Sequence, residues 1–179
     1  GRFTKSPQVL PSYIYECTSC VRAADYDGDG DMDLFVGVRL TPFRYGYPCK
    51  GYILNNNGKG IFTDVTEKVA PALKTAGMVT DAAWFDYDKD GDLDLFLITN
   101  PADERLNNVN VISEMDSAKQ VPGVDILYRN NGNGTFTDLS EQAGITKGGD
   151  RIGADIRELN NEGYQNIYLT KYFLTISTL

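Results

Sequence analysis

The 179-residue chain contains no histidine at all. This absence excludes nucleophilic sites that use an imidazole as general base, and it excludes the helical HExxH zinc site. No stretch approaches the roughly 18 consecutive apolar residues of a membrane-spanning helix. The first ten residues also lack the apolar core of a signal peptide. We therefore expect neither a histidine-based catalytic centre nor a membrane span.

The charge balance narrows the range of partners. The chain has 25 acidic and 17 basic residues, which gives a net charge of −8. Such a chain repels nucleic acids and anionic membranes and attracts metal cations. Because 41% of the residues are hydrophobic, the composition is that of a folded globular protein. We predict a folded protein that binds cations and does not bind nucleic acid.

An acidic element recurs along the chain. It reads ADYDGDGDMDLFV at residues 24–36 and FDYDKDGDLDLFL at residues 85–97, a spacing of 61 residues. A degraded third copy, ELNNEGYQNIYL, spans residues 158–169. Recurrence on a regular schedule is typical of tandem structural repeats.

A second element recurs on its own schedule. It reads ILNNNGKGIFTDVTE at residues 53–67 and YRNNGNGTFTDLSE at residues 128–141, and Gly1–Thr4 reads as the tail of another copy. A polar insertion between Asn100 and Gly123, which we interpret as a surface loop, lengthens the second repeat. The approximate repeat units are residues 1–59, 60–133 and 134–179, and the last unit is incomplete.

Each unit has the composition of β-structure. Runs of β-branched and aromatic residues are bounded by Gly, Asp and Asn, and NNNGKG and NNGNG have the residues of hairpin turns. One short helical turn is predicted after each FTD, capped by Thr66 or Ser140. The sequence therefore predicts an all-β fold of about three β-propeller blades.

The acidic loops have the pattern D-x-D-x-D-G-x-x-D. Side chains at positions 1, 3, 5 and 9 and the carbonyl of position 7 can surround one hard cation, and glycine at position 6 permits the turn. Carboxylates this close repel one another unless a cation neutralises them, and oxygen-only ligands favour Ca²⁺. The alternative is a set of solvated Asp-Gly turns. The predicted ligands are Asp25, Asp27, Asp29, Asp31 (carbonyl) and Asp33 for one ion, and Asp86, Asp88, Asp90, Asp92 (carbonyl) and Asp94 for a second.

The third loop and the sequence after each loop qualify this prediction. Glu158, Asn160, Glu162 and Asn166 replace the aspartates of the other two loops, so a third Ca²⁺ would have to be held by longer or uncharged side chains. Position 12 is not the glutamate of an EF-hand, and a strand rather than a helix is expected to follow. A calmodulin-like switch is therefore disfavoured.

Together these motifs resemble FG-GAP/VCBS repeats of the integrin-α type. They are most similar to bacterial multi-repeat proteins that pair D-x-D-x-D-G-D-x-D-L with N-x-G-x-G-x-F-T-D and often carry an ASPIC/UnbV module. The resemblance implies a propeller of about seven blades with calcium in loops on one face, in a secreted or cell-surface protein. It carries the ligand roles onto the ten aspartates named above. We expect a single, incomplete propeller that further blades of the same parent chain would complete.

Two main functions follow as expectations. The first is a non-enzymatic, calcium-binding extracellular module, a scaffold for protein or glycan recognition and adhesion. The alternative is the propeller domain of a calcium-dependent polysaccharide-degrading enzyme, whose base would have to be Lys, Tyr or Arg. A phosphatase suggested by the DYDG at residues 25–28 is rejected, because the second copy reads DYDK and no alternating helix-strand pattern follows.

Two smaller features remain open. Cys17 and Cys20 form a CxxC pair with Cys49 left over, which could be a redox pair, half a zinc site or a short disulfide. Structural cysteines are favoured, because no second pair and no βαβ pattern accompany them. The aromatic and basic segment at residues 43–48 could stack on a sugar or contact a protein partner, or it could pack within a blade.

Overall fold

The computed structural model describes residues 2–5, 8, 16–43, 47–100, 123–146, 151–159 and 161–171. These residues form strands β1 (Cys17–Ala24), β2 (Asp33–Leu40), β3 (Gly51–Asn56), β4 (Phe62–Asp64), β5 (Met78–Phe85), β6 (Asp94–Asn100), β7 (Ile126–Asn130), β8 (Phe136–Asp138), β9 (Arg151–Arg157) and β10 (Asn166–Lys171). A short helix α1 (Thr66–Val69) and a 3-10 helix (Pro71–Thr75) lie between β4 and β5. None of the described helices is long and apolar enough to cross a membrane.

Consecutive strands pair into antiparallel sheets. β1 to β4 form one four-stranded sheet in chain order, β5 to β8 form a second, and β9 pairs with β10. In each sheet an acidic loop joins the first two strands, and in the two larger sheets an asparagine-rich turn joins the last two. The prediction of an all-β fold built from propeller-like repeats is confirmed. The repeat boundaries drawn from the sequence stay predictions.

Strand β6 of the second sheet is buried on both faces. Leu95 and Leu97 of β6 pack into a core shared with Phe35 of the first sheet, whereas Phe96 of β6 packs against Ile156 on β9. All three of these β6 side chains are at most 2% exposed. Neighbouring residues of a strand point to opposite faces, so a strand between two sheets has to be apolar at every position. This explains the unbroken apolar run after the second acidic loop.

Polar contacts also join the first strands of neighbouring sheets. Ser19 Oγ on β1 donates to Val79 O on β5 over 2.6 Å, and Arg22 Nε donates to Ala82 O over 2.8 Å. Arg22 also forms an ion pair with Asp81, which is largely buried. Hydrogen bonds from side chains to backbone therefore join the first two sheets, in addition to the apolar packing between them.

The predicted caps of the helical turns are wrong. Val65 is the N-cap of α1, and Thr66 is its first helical residue. The Thr66 hydroxyl donates to Asp64 Oδ1 over 2.6 Å and accepts from Ile53 N over 2.8 Å. Because β4 ends at Asp64, it offers no further carbonyl to the buried amide of Ile53 on β3. The Thr66 hydroxyl is the acceptor for that amide instead. Ser140 does the same for Leu127 N, and residues 140–144 form a turn rather than a helix.

Some predictions fall at or beyond the limits of the described residues. The insertion from Asn100 to Gly123 lies almost wholly outside them, as do residues 44–46 of the aromatic and basic segment. Residues 2–5 form no strand, and their assignment to the tail of a further repeat element stays a prediction. All three cysteines are free thiols. Burial raises the pKa of Cys20 and of Cys49, which makes both thiols poor nucleophiles.

Candidate metal centres

The three acidic loops share one backbone path. Each begins directly after the first strand of its sheet and ends at the first residue of the next strand. A positive φ recurs at the fourth and sixth positions of every loop, where only glycine, or a residue that tolerates the left-handed region, fits readily. These residues are Gly28 (73°), Lys89 (63°) and Asn161 (62°) at the fourth position, and Gly30 (93°), Gly91 (94°) and Gly163 (73°) at the sixth.

The first loop gathers three carboxylates. Oxygen atoms of Asp25, Asp27 and Asp29 all lie within 4.8 Å of one another. Asp25 accepts hydrogen bonds from the backbone amides of Asp29 over 3.1 Å and of Gly30 over 2.9 Å. The turn itself therefore holds the first carboxylate against the next two.

The second loop makes a corresponding group from a different set of positions. Oxygen atoms of Asp86, Asp88 and Asp94 lie within 4.8 Å of one another. Asp86 Oδ2 accepts from Gly91 N over 3.1 Å, as Asp25 does from Gly30. Asp86 Oδ1 is buried and has no hydrogen-bond partner among the described residues. The second loop thus leaves a buried carboxylate oxygen free for another ligand.

The aspartate at position 9 is the most deeply buried of each set. Asp33 and Asp94 are both 0% exposed and begin β2 and β6. The pKa of each carboxyl is raised to about 6, because burial and, to a lesser extent, the nearby aspartates raise it more than the backbone amide donors lower it. Asp33 Oδ2 has no hydrogen-bond partner within the described ranges. A buried carboxylate of this kind is unfavourable unless a positive charge stands beside it.

The remaining predicted ligands are placed differently. Asp31 and Asp92 direct their carboxylates at the turn glycines, since a Cβ added to Gly58 or Gly132 would lie 2.5 Å from Asp31 Oδ2 or 2.8 Å from Asp92 Oδ2. That placement agrees with a role for their carbonyls rather than their side chains. Asp90 Oδ1 accepts from the amide of Asp92 over 2.9 Å. The structure therefore gathers three carboxylates per loop, and the other predicted ligands adjoin them.

The third loop keeps the turn with other side chains. Glu158 accepts from Gly163 N, as the first aspartate of each other loop does from its glycine. Asn166 Oδ1 accepts from Leu159 N over 3.1 Å, as Asp94 does from Tyr87 N over 2.9 Å. The loop offers two exposed carboxylates, those of Glu158 and Glu162, whereas Asn160 lies outside the described residues.

A lysine of the second loop contacts the third. Lys89 Nζ lies 3.6 Å from the centre of the Tyr164 ring, a cation–π distance. The same ammonium is near Gly163, where an added Cβ would lie 3.2 Å away. The ammonium of Lys89, from the second loop, therefore lies close beside the third loop.

The sequence interpretation missed the asparagines that support these loops. Asn55 Nδ2 donates to Asp27 Oδ2 over 2.8 Å, and the backbone amides of Asn56 and Asn130 donate to Asp33 and Asp94 over 2.7 and 2.8 Å. The signal was present, because the NNG element recurs in step with the acidic element. From the sequence alone these asparagines are predicted only to form turns.

These features define the class, a β-sheet repeat module whose acidic loops lie between the first two strands of each sheet. Residues 45–97 match the model of an FG-GAP-like repeat, from the segment before β3 through the second acidic loop and into β6. That part of the chain is therefore similar to an FG-GAP-like repeat, as its motifs indicated. A comparison with curated proteins gives no match. The link to ASPIC/UnbV-associated proteins stays a prediction.

Proposed function

We propose that the first two acidic loops each bind one Ca²⁺ and that the chain is a non-enzymatic extracellular scaffold for protein or glycan recognition. One observation carries the calcium proposal. Asp33 and Asp94 are fully buried carboxyls, the Asp94 carboxylate lies within 4.8 Å of two further carboxylates, and one buried carboxylate oxygen in each loop lacks a hydrogen-bond partner among the described residues. Like charges packed in this way call for a cation.

The donor set fits calcium. In the first loop the ion would be held by Asp25, Asp27, Asp29, Asp33 and the carbonyl of Asp31, and the second loop offers the matching set from Asp86 to Asp94. All of these donors are oxygens. A bound Ca²⁺ would supply the positive charge that the carboxylates lack, and the loop amides already hold their first carboxylates in place.

The openness of the loops supports the proposed extracellular setting. Asp27, Asp29, Asp88 and Asp90 are exposed, so each site would be open to solvent on one side. Open loop sites in extracellular modules bind calcium in the range of about 10⁻⁴ to 10⁻³ M, which matches the free calcium outside cells. Phe43 adds an apolar side chain that is fully exposed. Exposed aromatic side chains are frequent in surfaces that bind proteins and sugars.

Calorimetric titration of EDTA-stripped protein with calcium chloride tests the metal sites. We expect a stoichiometry of about two, with one binding event lost in Asp27→Asn and the other in Asp88→Asn. Glu67→Gln is the matched control, because Glu67 is an exposed acid outside the loops that pairs with Lys74. Heat changes no larger than those of dilution would contradict the proposal.

A glycan array probed with and without calcium tests the recognition role. We expect binding that EDTA abolishes and that Asp27→Asn and Asp88→Asn weaken, because the ions would hold the loops in their folded form. Incubating the bound glycans with the protein then separates a scaffold from an enzyme. Release of shortened products would contradict the non-enzymatic role.

A further inference from the structure

One buried side chain contacts both acidic loops. Asn130 ends β7 and is 2% exposed. Its Nδ2 donates to Tyr26 O in the first loop over 2.8 Å and to Leu93 O in the second loop over 3.3 Å. Its backbone amide donates to Asp94 Oδ1 over 2.8 Å. Asn130 therefore links the backbone of one loop to a proposed ligand of the other.

Aromatic packing reinforces this link. Tyr26 lies between two proposed ligands of the first loop, yet its ring is 5% exposed and packs on the second sheet. Its ring centre is 6.1 Å from that of Trp84 and 5.7 Å from that of Phe136. The path of the first loop is thus fixed by side chains from the sheet that carries the second.

Asn56 is the counterpart of Asn130 in the first sheet. Its backbone amide donates to Asp33 Oδ1 over 2.7 Å, and its Nδ2 donates to Met32 O over 3.1 Å. These two bonds match those that Asn130 makes within its own sheet. In the part of the chain that the structure describes, Asn56 has no hydrogen bond to another acidic loop, and so it is a natural control.

We propose that Asn130 couples the two cation sites, an inference that rests on the calcium binding proposed above. Calcium in the first loop would order the segment that contains the Tyr26 carbonyl. That carbonyl then holds the Asn130 amide, and Asn130 in turn holds Asp94 in place for the second ion. Since coupling is reciprocal, each ion raises the affinity for the other. A single buried hydrogen bond corresponds to a factor of about 3 to 10 in affinity.

Site-resolved NMR titration with calcium chloride measures the coupling. The amides of Gly30 and Gly91 donate to the first aspartate of their own loops, so each reports one site. We expect Asp27→Asn, which weakens the first site, to lower the affinity reported by Gly91 about 3- to 10-fold. In an Asn130→Ala background the same substitution should leave the Gly91 titration unchanged. Asn56→Ala should leave the coupling intact.

The outcomes separate the two proposals. If calcium moves neither glycine signal, the calcium proposal itself fails. If both sites bind but Asp27→Asn leaves Gly91 unaffected in the otherwise unchanged chain, the coupling is overturned and calcium binding stands. That comparison needs no change at Asn130, and Asn130→Ser gives a milder variant should Asn130→Ala not fold. Coupling that persists in either Asn130 variant would exclude the assigned role of this residue.

Discussion

The first two acidic loops and the third differ in chemistry but not in backbone. All three have a positive φ at the fourth and sixth positions, and in each the first acidic side chain accepts from the amide of the sixth residue. The first two loops place five aspartates in nine residues, whereas the third has two glutamates and asparagines. The third loop shows that the turn forms without the aspartates. Their presence in the other two therefore needs another explanation, and a bound cation supplies one.

The largest expected difference is the response of the whole chain to calcium. Saturating each site at 100 times its Kd stabilises the fold by about 2.7 kcal/mol. At roughly 2–4 °C per kcal/mol for a chain of this size, two sites should raise the melting temperature by about 10–20 °C. Scanning calorimetry in calcium and in EDTA measures this shift. Superimposable unfolding transitions in calcium and in EDTA would mean that the acidic loops are solvated Asp-Gly turns that bind no calcium.

Converting the third loop should remove the difference. A variant with Glu158→Asp, Asn160→Asp, Glu162→Asp and Asn166→Asp restores the ligand set of the other loops on a backbone that already has their φ angles. We expect a third calcium-binding event in a calorimetric titration. The control carries Glu158→Gln and Glu162→Gln and should keep two. If the converted loop binds no third Ca²⁺, the identity of its ligand side chains is not what distinguishes it from the first two loops.

The sixth position should be the most sensitive point of the shared backbone. Gly30 has φ 93°, and an alanine there should destabilise the fold by about 1–2 kcal/mol. Gly28→Asn should have little effect, because Asn161 takes the equivalent position of the third loop at φ 62°. Urea unfolding in EDTA separates this cost from metal binding. Equal losses of unfolding free energy in Gly30→Ala and Gly28→Asn would contradict the greater sensitivity expected of the sixth position.

The smallest effect concerns the lysine beside the third loop. Replacing Tyr164 by leucine removes the ring under Lys89 and should cost about 0.5–1 kcal/mol, the range for an exposed cation–π pair. Tyr168→Leu is the matched control, because Tyr168 is similarly exposed on β10. Urea unfolding at two salt concentrations measures both variants. A larger loss in the control would show that the contact does not stabilise the loop.

Local features of the molecule could be predicted from the sequence. Glycine and aspartate spacing located the acidic loops, and apolar runs such as Leu95 to Thr99 predicted β6, because both depend on neighbours within a few residues. The bond between Asn130 and Tyr26 joins residues 104 apart and depends on how two sheets stack. Repeat spacing carries no information on that contact, so the support from Asn130 was missed.

The error at Thr66 has a similar origin. A threonine before a short polar stretch is a good N-cap by local rules. In the folded chain its hydroxyl instead accepts from the amide of Ile53, a residue of another strand that needs an acceptor. The need of the Ile53 amide for an acceptor thus overrides the local preference of Thr66 for capping the helix. The same reasoning applies to Ser140 and Leu127.

The burial of β6 on both faces has a consequence for how small a working piece of this chain can be. Leu95 and Leu97 face one neighbouring sheet and Phe96 and Ile98 face the other, all at most 2% exposed. A single repeat cut out of the array would present both rows to water. We therefore expect a repeat to need its neighbours on both sides in order to fold and stay soluble, because the neighbouring sheets bury both faces of β6.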